Sequence, residues 1–400
     1  MDHRKLTGAA ILRRAAGLRL RLLSNREVVV ETASGEHVVG PHALAILDAF
    51  ADPKPVCDVK ARVGGAAAWV DWMTTVRDLF RVGALEDALS PSAETSGDGF
   101  DSLKIHIAML NDRTRTGQYL EAIRRVVRPG DVVVDLGTGT GILALAAARA
   151  GARRVYAIEA GRVGDTAGAM FEANGYSHVI RLVRGWSTTV SIPERANVLV
   201  SEIIGDEPLG ERVLESTLDA RKRLLAADAR FVPRRVEIII QAVAVPRSVQ
   251  ADRRMFAGTA SRWHDWYGFD FARVDEAARD QRHEFPVRPK EAQRWRNLSQ
   301  PICAANLNLA SQDSTAVDTT TEFETSRSGV LNAVVVNFRL ELAPGLFLSS
   351  DPATAGADCH WKSWVCLLGV EWRVKPGERY RLRYTHNTSG DPPRIEITKA

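Results

Sequence analysis

The sequence has little of what marks several large classes of protein. Its 400 residues include four cysteines, Cys57, Cys303, Cys359 and Cys366, and none stands in a metal-ligand spacing. Cys359 and Cys366 are near enough to meet in space, but reduced thiols in a reducing compartment are the simpler reading. No stretch approaches twenty apolar residues, so no membrane-spanning helix is expected. The basic start lacks a sustained apolar core, because Arg13-Arg14 follow Ile11-Leu12 directly. That argues against a secretory signal and for a cytoplasmic protein. Charge of one sign is also scarce: 53 Lys and Arg face 49 Asp and Glu, a formal net charge of +4. With no basic tail, a nucleic-acid partner is not implied. The remainder, 45% hydrophobic and 26% charged, is ordinary for a globular protein and long enough for two or three domains.

The most specific feature is Val132-Val-Val-Asp-Leu-Gly-Thr-Gly-Thr-Gly-Ile142. A valine strand reaches Asp135, glycines follow at 137, 139 and 141, and an Ala/Leu-rich segment begins a helix. Such a loop offers backbone N–H groups and little side-chain bulk to a ligand. The glycine pattern alone is shared by nicotinamide, flavin, nucleotide and methyl-donor enzymes. Here it lacks the Gly-Lys-Ser/Thr ending of a phosphate loop. Asp135 before the first glycine would repel a pyrophosphate but suits the ammonium of a methionine moiety, which favours S-adenosyl-L-methionine. The next strand ends in Glu159, suited to both ribose hydroxyls, although that acid is also compatible with NAD.

The chain reads in four stretches. Residues 18–32 alternate as a strand pair, with Ser34-Gly35 as a following turn, and helices are expected at 41–50, 56–63 and 69–82, the last stopped by Gly83. Residues 88–98 have linker composition. From 105 to 240, helix and strand alternate as in a parallel sheet covered on both faces, with helices at 115–127, 141–150, 162–173 and 209–224. The final 160 residues switch to period-two runs, including 330–342, 364–368 and 380–384, which indicates an antiparallel barrel or sandwich. Between these last two stretches, 255–278 carries Trp263, Trp266, Tyr267, Phe269 and Phe271. They form either a core cluster or aromatic anchors that dock on another subunit.

Acids and one histidine mark a second half-site. Glu202 follows the strand 197–201 and so lies at its carboxyl end beside the glycine loop; Glu211 follows nine residues later, across Gly205, Pro208 and Gly210. Two carboxylates delivered to one place match a planar, bidentate guanidinium, unless they are solvated loop residues. His360, in Asp358-Cys-His-Trp-Lys362, either shapes a turn or closes the pocket by pairing with a carboxylate. Arg115 either holds a ligand carboxylate or is solvated.

These motifs together resemble the protein arginine N-methyltransferase family from about Phe100 to the C-terminus. His106-Ile-Ala-Met109-Leu-Asn-Asp112-Arg-Thr-Arg115-Thr116 is similar to the family's donor lid. The glycine loop and Glu159 resemble its donor site, Glu202 to Glu211 its double-glutamate loop, and Cys359-His360-Trp361 its Thr-His-Trp loop. Trp266-Tyr-Gly-Phe-Asp270 resembles the start of its dimerisation arm. The resemblance implies a class I methyltransferase (Rossmann-like) domain over 105–235 and a β-barrel over 236–400. It also implies an arm at 255–295, a homodimer, S-adenosyl-L-methionine as cofactor and no metal. Arg115 would grip the donor carboxylate and Glu159 the ribose, with Asp135, Gly137, Gly139 and Glu202 also bordering the donor. Glu202 and Glu211 would clamp the substrate guanidinium, Asp112 would pair with His360, Trp361 would complete the catalytic group, and Met109 would pack near the reacting methyl.

This sequence departs from the family in several places. Gly99-Phe100-Asp101-Ser102-Leu103 lacks one or both aromatic anchors of the family's Tyr-Phe-x-x-Tyr helix. The adenine-binding acid is replaced within Gly185–Thr189, leaving Ser187 or Thr188 to serve. Ile203-Ile204 stand for the usual Trp-Met pair, and with Asp206 and Glu207 the loop is similar to that of the monomethylating branch. Residues 1–90 weakly resemble a winged-helix module of the kind that binds leader peptides, which could pair an edge strand with an extended chain; a packing or dimer-stabilising role is the alternative. The functions expected are methylation of arginine in a protein or peptide, methylation of free L-arginine or a related small guanidine or amine, or a catalytically weak peptide-binding adaptor.

Overall fold

A computed structural model describes residues 11–15, 18–23, 27–32, 35–40, 42–52, 54–60, 66–87, 102–279, 283–387 and 393–400. The chain divides into two compact units, Met1–Ser102 and Leu103–Ala400. Residues 88–101, which include most of the expected linker and the Phe100 segment, lie outside the described residues; Leu103 and Lys104 already belong to a helix.

In the first unit the expected strand pair, Arg19–Leu22 with Val28–Thr32, gains a third antiparallel strand, Gly35–Val39. Ser34 lies outside the described residues, whereas Gly35 opens this strand rather than belonging to a turn. Alternation buries Val28, Val30 and Val39 against Ile46, Leu47 and Phe50 and the helix Ala66–Arg81, through Trp72, Val76 and Leu79. That helix ends at Gly83, whose φ of 77° is left-handed. A second small sheet joins Ile11–Arg14 to Lys54–Pro55 and Leu85–Asp87.

The second unit opens with a helix, Leu103–Asn111, that was not expected as one and that carries the lid-like motif, and continues into Arg113–Val126. Five parallel strands follow in the order Leu225–Val232, Ala196–Ser201, Val132–Leu136, Arg154–Glu159, Ile180–Arg184. Val132–Leu136 is buried at every position, as a strand covered on both faces must be. The helix Ile142–Arg149 buries a run from Leu143 to Ala148, and its small side chains let it lie close on the sheet. Strand order reverses between Val132–Leu136 and Ala196–Ser201, so the crevice beyond their carboxyl ends is where a ligand belongs.

Two boundaries differ from expectation. The helix expected from 209 begins at Val213, because Pro208, Gly210 and a left-handed Arg212 (φ 60°) keep 206–212 in turns. The edge strand Leu225–Val232 was missed. Its composition, Leu-Ala-Ala-Asp-Ala-Arg-Phe-Val, favours helix, and only its ends are buried.

The chain then forms two antiparallel sheets, the larger centred on Gly329–Ala343 between Arg235–Ala244 and Ser363–Val374, the smaller made of Val317–Glu324, Arg379–His386 and Arg394–Lys399. Their facing sides share one continuous core with the parallel sheet, from Val134 and Leu199 to Phe338, Tyr380 and Tyr384. Residues 255–279 form a helical hairpin, Thr259–Tyr267 and Ala272–Arg279. Its aromatics are not a buried cluster: Trp266, Tyr267 and Phe269 are 63%, 60% and 70% exposed. Among the described residues no helix is long and apolar enough to cross a membrane.

Candidate active site

The donor half is built where the central strand ends. Gly137, Gly139 and Gly141 all have positive φ, and space forbids a side chain as firmly as conformation does. A Cβ would lie 2.9 Å from Ile203 Cγ2 at Gly137, 2.9 Å from His106 Cε1 at Gly139, and 2.4 Å from the Phe171 ring at Gly141. Glu159, at the end of the neighbouring strand, ties the loop down: Gly139 N–H donates to it at 2.9 Å and Gly161 N–H at 2.7 Å. Asp135 is fully buried, and burial pushes its carboxyl up to about 7, the bond from Thr138 opposing and the charge of Glu159 adding. Thr138 Oγ1 donates to Oδ2 at 2.6 Å, while Oδ1 has no partner. Ser187 and Thr188 stand in the turn beyond the edge strand Ile180–Arg184, where the Ser187 carbonyl accepts from Arg223 Nη2 at 2.7 Å; their side chains are half-buried and exposed.

The acceptor half lies across the crevice. Glu202 is buried at the end of Ala196–Ser201 and pairs with Arg115. The Arg115 guanidinium sits 6.0 Å from the Tyr119 ring and 5.8 Å from Trp361, an aromatic setting that suits a cation. Arg115 Nε and Glu202 Oε1 remain without partners. The two residues, expected to hold two different ligand groups, are thus paired with each other. Glu211 approaches from the far end of the loop: its Oε1 would be 2.8 Å from a Cβ at Gly205, so this glycine leaves room for the carboxylate. Burial first, then the charges of Glu202 and Asp206 against the pull of Arg115, lift Glu211 to about 8.

Asp112 joins the two halves. It caps the helix Arg113–Val126 by accepting Arg115 N–H at 2.9 Å. Its other oxygen accepts the His360 backbone N–H at 3.0 Å and lies 2.9 Å from His360 Nδ1, the expected pairing. Burial opposes ionisation of Asp112, but the bonds from His360 and Arg115 outweigh it and hold the carboxyl below its ordinary range. Trp361 continues the connection: its Nε1 donates to the Ile204 carbonyl at 2.7 Å, and its ring meets Phe338 edge-on at 4.9 Å. Met109 is half-buried on the lid helix, with its carbonyl accepting from Thr116 Oγ1 at 3.3 Å.

Several participants were not singled out from sequence. Tyr119 is fully buried and its hydroxyl donates to the Ser201 carbonyl at 3.3 Å; its place one helical turn after Arg115 was the available signal. Thr138 carried no pattern of its own, and His106 stood only as the first residue of the lid-like motif. Asp135, Gly137, Gly139 and Glu159 gather around the glycine loop, and Asp112, Arg115, Glu202, His360 and Trp361 are linked to one another by the contacts above, with Glu211 at the far end of the Glu202 loop. Among the described residues no group of three or more His, Cys, Asp or Glu is placed to hold a metal, and the four cysteines are free.

Comparison with known proteins agrees with this architecture. The family model described as ribosomal protein L11 methyltransferase matches residues 113–228, the stretch that carries the donor half. Protein arginine N-methyltransferase PRMT10 of Arabidopsis thaliana is 28% identical over 315 residues, 72% of this chain and 81% of its own length. Arginine N(omega)-methyltransferase of Streptomyces achromogenes subsp. streptozoticus is 31% identical over 286 residues, 70% of this chain and 74% of its own. The solved Trypanosoma brucei PRMT1 enzyme-prozyme heterotetrameric complex with AdoHcy has the same fold, with a TM-score of 0.65 over 76% of this chain and 95% of that one, at 22% identity. The expected winged-helix resemblance of the first unit gains no support from these relatives.

Proposed function

The chain belongs to the protein arginine N-methyltransferase family, and we propose that it methylates an arginine of a protein or peptide by holding the guanidinium between Glu202 and Glu211. That it is an S-adenosyl-L-methionine-dependent arginine methyltransferase follows from the family; the clamp, the acceptor and the number of methyls are the proposal. The observation that supports it is the placement of Glu202, buried at the carboxyl end of Ala196–Ser201, and of Glu211, packed against Gly205 in the loop that follows, at the switch point beside the glycine loop; the charge of Glu202 in turn raises the Glu211 carboxyl. Glu202 already pairs with a guanidinium, that of Arg115, so its environment suits such a group.

The residues present fit the donor. Gly137 and Gly139 leave its approach open, Glu159 keeps acceptor capacity for the ribose hydroxyls, and the unpartnered Arg115 Nε suits a carboxylate. Asp135 Oδ1 can serve the donor's ammonium, Ser187 or Thr188 the adenine amine, and Met109 can pack near the methyl. When bound, S-adenosyl-L-methionine supplies an electrophilic methyl on a sulfonium. Guanidinium is a poor nucleophile because its lone pairs are delocalised. Two carboxylates orient one nitrogen and favour charge on the others, so positioning and preorganised charge lower the barrier. The surplus proton of the methylated nitrogen would pass to Glu211 in its ionised form, whose raised carboxyl makes it the stronger base, and then to water. Ile203, packed over Gly137, narrows the meeting point of the two halves and favours a single methyl as product. Free L-arginine is the second reading, favoured by the Streptomyces relative, whose name describes an arginine methyltransferase.

A homodimer is proposed on the exposed aromatics of the helical hairpin and an apolar stripe on the lid helix. That stripe, Leu103, Ile107 and Leu110, lies at helical spacing and is exposed. Replacing Trp266 and Phe269 with Ser is expected to turn a dimer into a monomer by sedimentation; a monomeric wild type would refute the arrangement.

The activity test is incubation with methyl-labelled S-adenosyl-L-methionine and either an arginine peptide or free L-arginine, with mass analysis of the product. Label on a guanidine nitrogen is expected. Donor binding without transfer to either acceptor would overturn the reading.

A further inference from the structure

Asp358 opens the segment that carries His360 and Trp361, and it lies on the surface. Both of its oxygens nevertheless reach the start of a distant helix. Oδ2 accepts the Arg113 backbone N–H at 2.9 Å, and Oδ1 accepts the Thr114 hydroxyl at 3.3 Å. These donors stand in the first turn of Arg113–Val126, immediately before Arg115. The first backbone N–H groups of a helix have no partner inside it. Asp112 satisfies one by accepting Arg115 N–H at 2.9 Å, and Asp358 satisfies another from the barrel loop. Two carboxylates at that end also suit the helix dipole.

The hold runs in both directions. Asp112 accepts the His360 backbone N–H at 3.0 Å and lies 2.9 Å from its Nδ1. A carboxylate on the helix side thus grips the loop, and a carboxylate on the loop grips the helix. At Gly356 a Cβ would stand 2.5 Å from Thr114 Oγ1 and 2.7 Å from Asp358 Oδ1, so a glycine lets the loop come this close. Cys359 N–H closes the turn on the Gly356 carbonyl at 3.1 Å.

This reciprocal clasp sits on a joint. The helix Leu103–Asn111 ends where Asp112 N–H reaches the Ala108 carbonyl at 3.2 Å, and the next begins where the Asp112 carbonyl accepts Thr116 N–H at 3.0 Å. Between them Asp112 has φ −73° and ψ 86°, outside the helical region. Before the joint, His106 lies over the glycine loop, its Cε1 2.9 Å from where a Gly139 Cβ would stand; after it comes Arg115. The angle at one residue therefore sets both. Asp112 is buried and Asp358 exposed, and water competes for an exposed hydrogen bond. The Asp358 half is the one that opens first.

We propose that Asp358 is a positioning residue for the donor, locking the joint at Asp112 and slowing release of the demethylated donor, S-adenosyl-L-homocysteine. It acts through Arg113, Thr114 and the aim of Arg115. The inference rests on the reading that Arg115 meets the donor carboxylate.

The test follows release of S-adenosyl-L-homocysteine from the full-length protein by rapid mixing, and its affinity by calorimetry. Asp358→Ala is expected to raise the dissociation rate and Kd by about fivefold, the scale of one helix cap, with association unchanged. Asp358→Asn keeps an oxygen for Arg113 N–H and should stay within about twofold of the wild type on that scale. In a Thr114→Val background, where one partner is already gone, Asp358→Ala should cost less. Arg115→Lys keeps a charge for Glu202 but loses Nε, and should weaken the donor more than any of these. Undiminished donor affinity in Arg115→Lys would refute the placement of the donor carboxylate, and this inference with it. Release at the wild-type rate in Asp358→Ala, while Arg115→Lys weakens binding, would overturn the clasp alone; so would an affinity lost wholly through slower association.

Discussion

The donor and acceptor halves of this site are built on different physical terms. On the donor side, main-chain geometry does most of the work: three left-handed glycines, an apolar strand and one carboxylate held by two backbone N–H groups, beside a second, Asp135, that burial lifts to about 7. Its parts lie within about thirty residues, and the loop keeps its shape without a distant partner. The acceptor half draws residues from 112 to 361 and relies on charges taken out of water. Glu207 and Glu211 stand well above the ordinary carboxylate range because nothing fully compensates them. The first half is therefore set mainly by main-chain geometry, and in the second burial disfavours the ionised forms of Glu207 and Glu211 until a cation joins them. Binding energy from the acceptor is what completes the second half.

Glu211→Gln should break this contrast most sharply. Turnover is expected to fall by roughly 10²–10³-fold, the scale of removing one preorganised electrostatic group, while donor affinity by calorimetry stays unchanged. Loss of donor binding in a folded variant would mean that the two halves are not separable. Asp112→Asn comes next, because asparagine keeps the helix cap but removes the charge that orients His360. A loss of about 10²-fold is expected, as for a misplacement of about an ångström, with thermal stability little changed; Asp112→Ala should in addition cost about 1 kcal/mol. Gly205→Ala should have a smaller effect, about tenfold on kcat by the same positioning argument, since the new Cβ meets the Glu211 carboxylate at 2.8 Å and the donor loop is untouched.

The pH response sharpens the comparison with the gentlest perturbation. A carboxyl raised in the folded state binds its proton more tightly there than in the unfolded chain. Its contribution to stability is full at acid pH, below its ordinary value near 4.5, and is lost as pH rises through about 8 for Glu211. Glu207 acts in the same direction up to about 7. Melting temperature is expected to decline between these limits, and Glu211→Gln should flatten that decline. Activity should run the other way, with kcat/KM rising toward pH 8 as the clamp ionises. A melting profile identical in wild type and variant would show that Glu211 is not held as described.

The same contrast explains what could be read from sequence. Asp135, the three glycines and Glu159 announce themselves because strand, loop and helix are contiguous and each residue type has one local reason to be there. Glu202 and Glu211 were legible as a spacing, but their pairing was not: nothing near Arg115 in sequence says that its partner is Glu202, because that contact is set by strand order. Leu225–Val232 escaped notice because an edge strand lacks the double-sided burial that makes Val132–Leu136 conspicuous. The lid helix Leu103–Asn111 escaped because its apolar stripe faces outward. Glu207 stood out only as extra charge; that its Oε1 is buried without a partner is set by tertiary packing.

Asp112 has a consequence beyond catalysis. A single carboxylate caps the helix that carries Arg115 and grips the loop whose Trp361 fixes the Ile204 carbonyl. On the proposed roles, residues that meet the donor and residues that meet the acceptor are coupled through one side chain, and such coupling is reciprocal: whatever factor one ligand adds to the other's affinity is returned in full. Order of addition cannot alter that product, only the route to it. For inheritance the arrangement is restrictive. Asp112 and His360 are 248 residues apart in the chain, yet a change at Asp112 alone would loosen both grips at once, the cap on the Arg115 helix and the hold on the His360 loop.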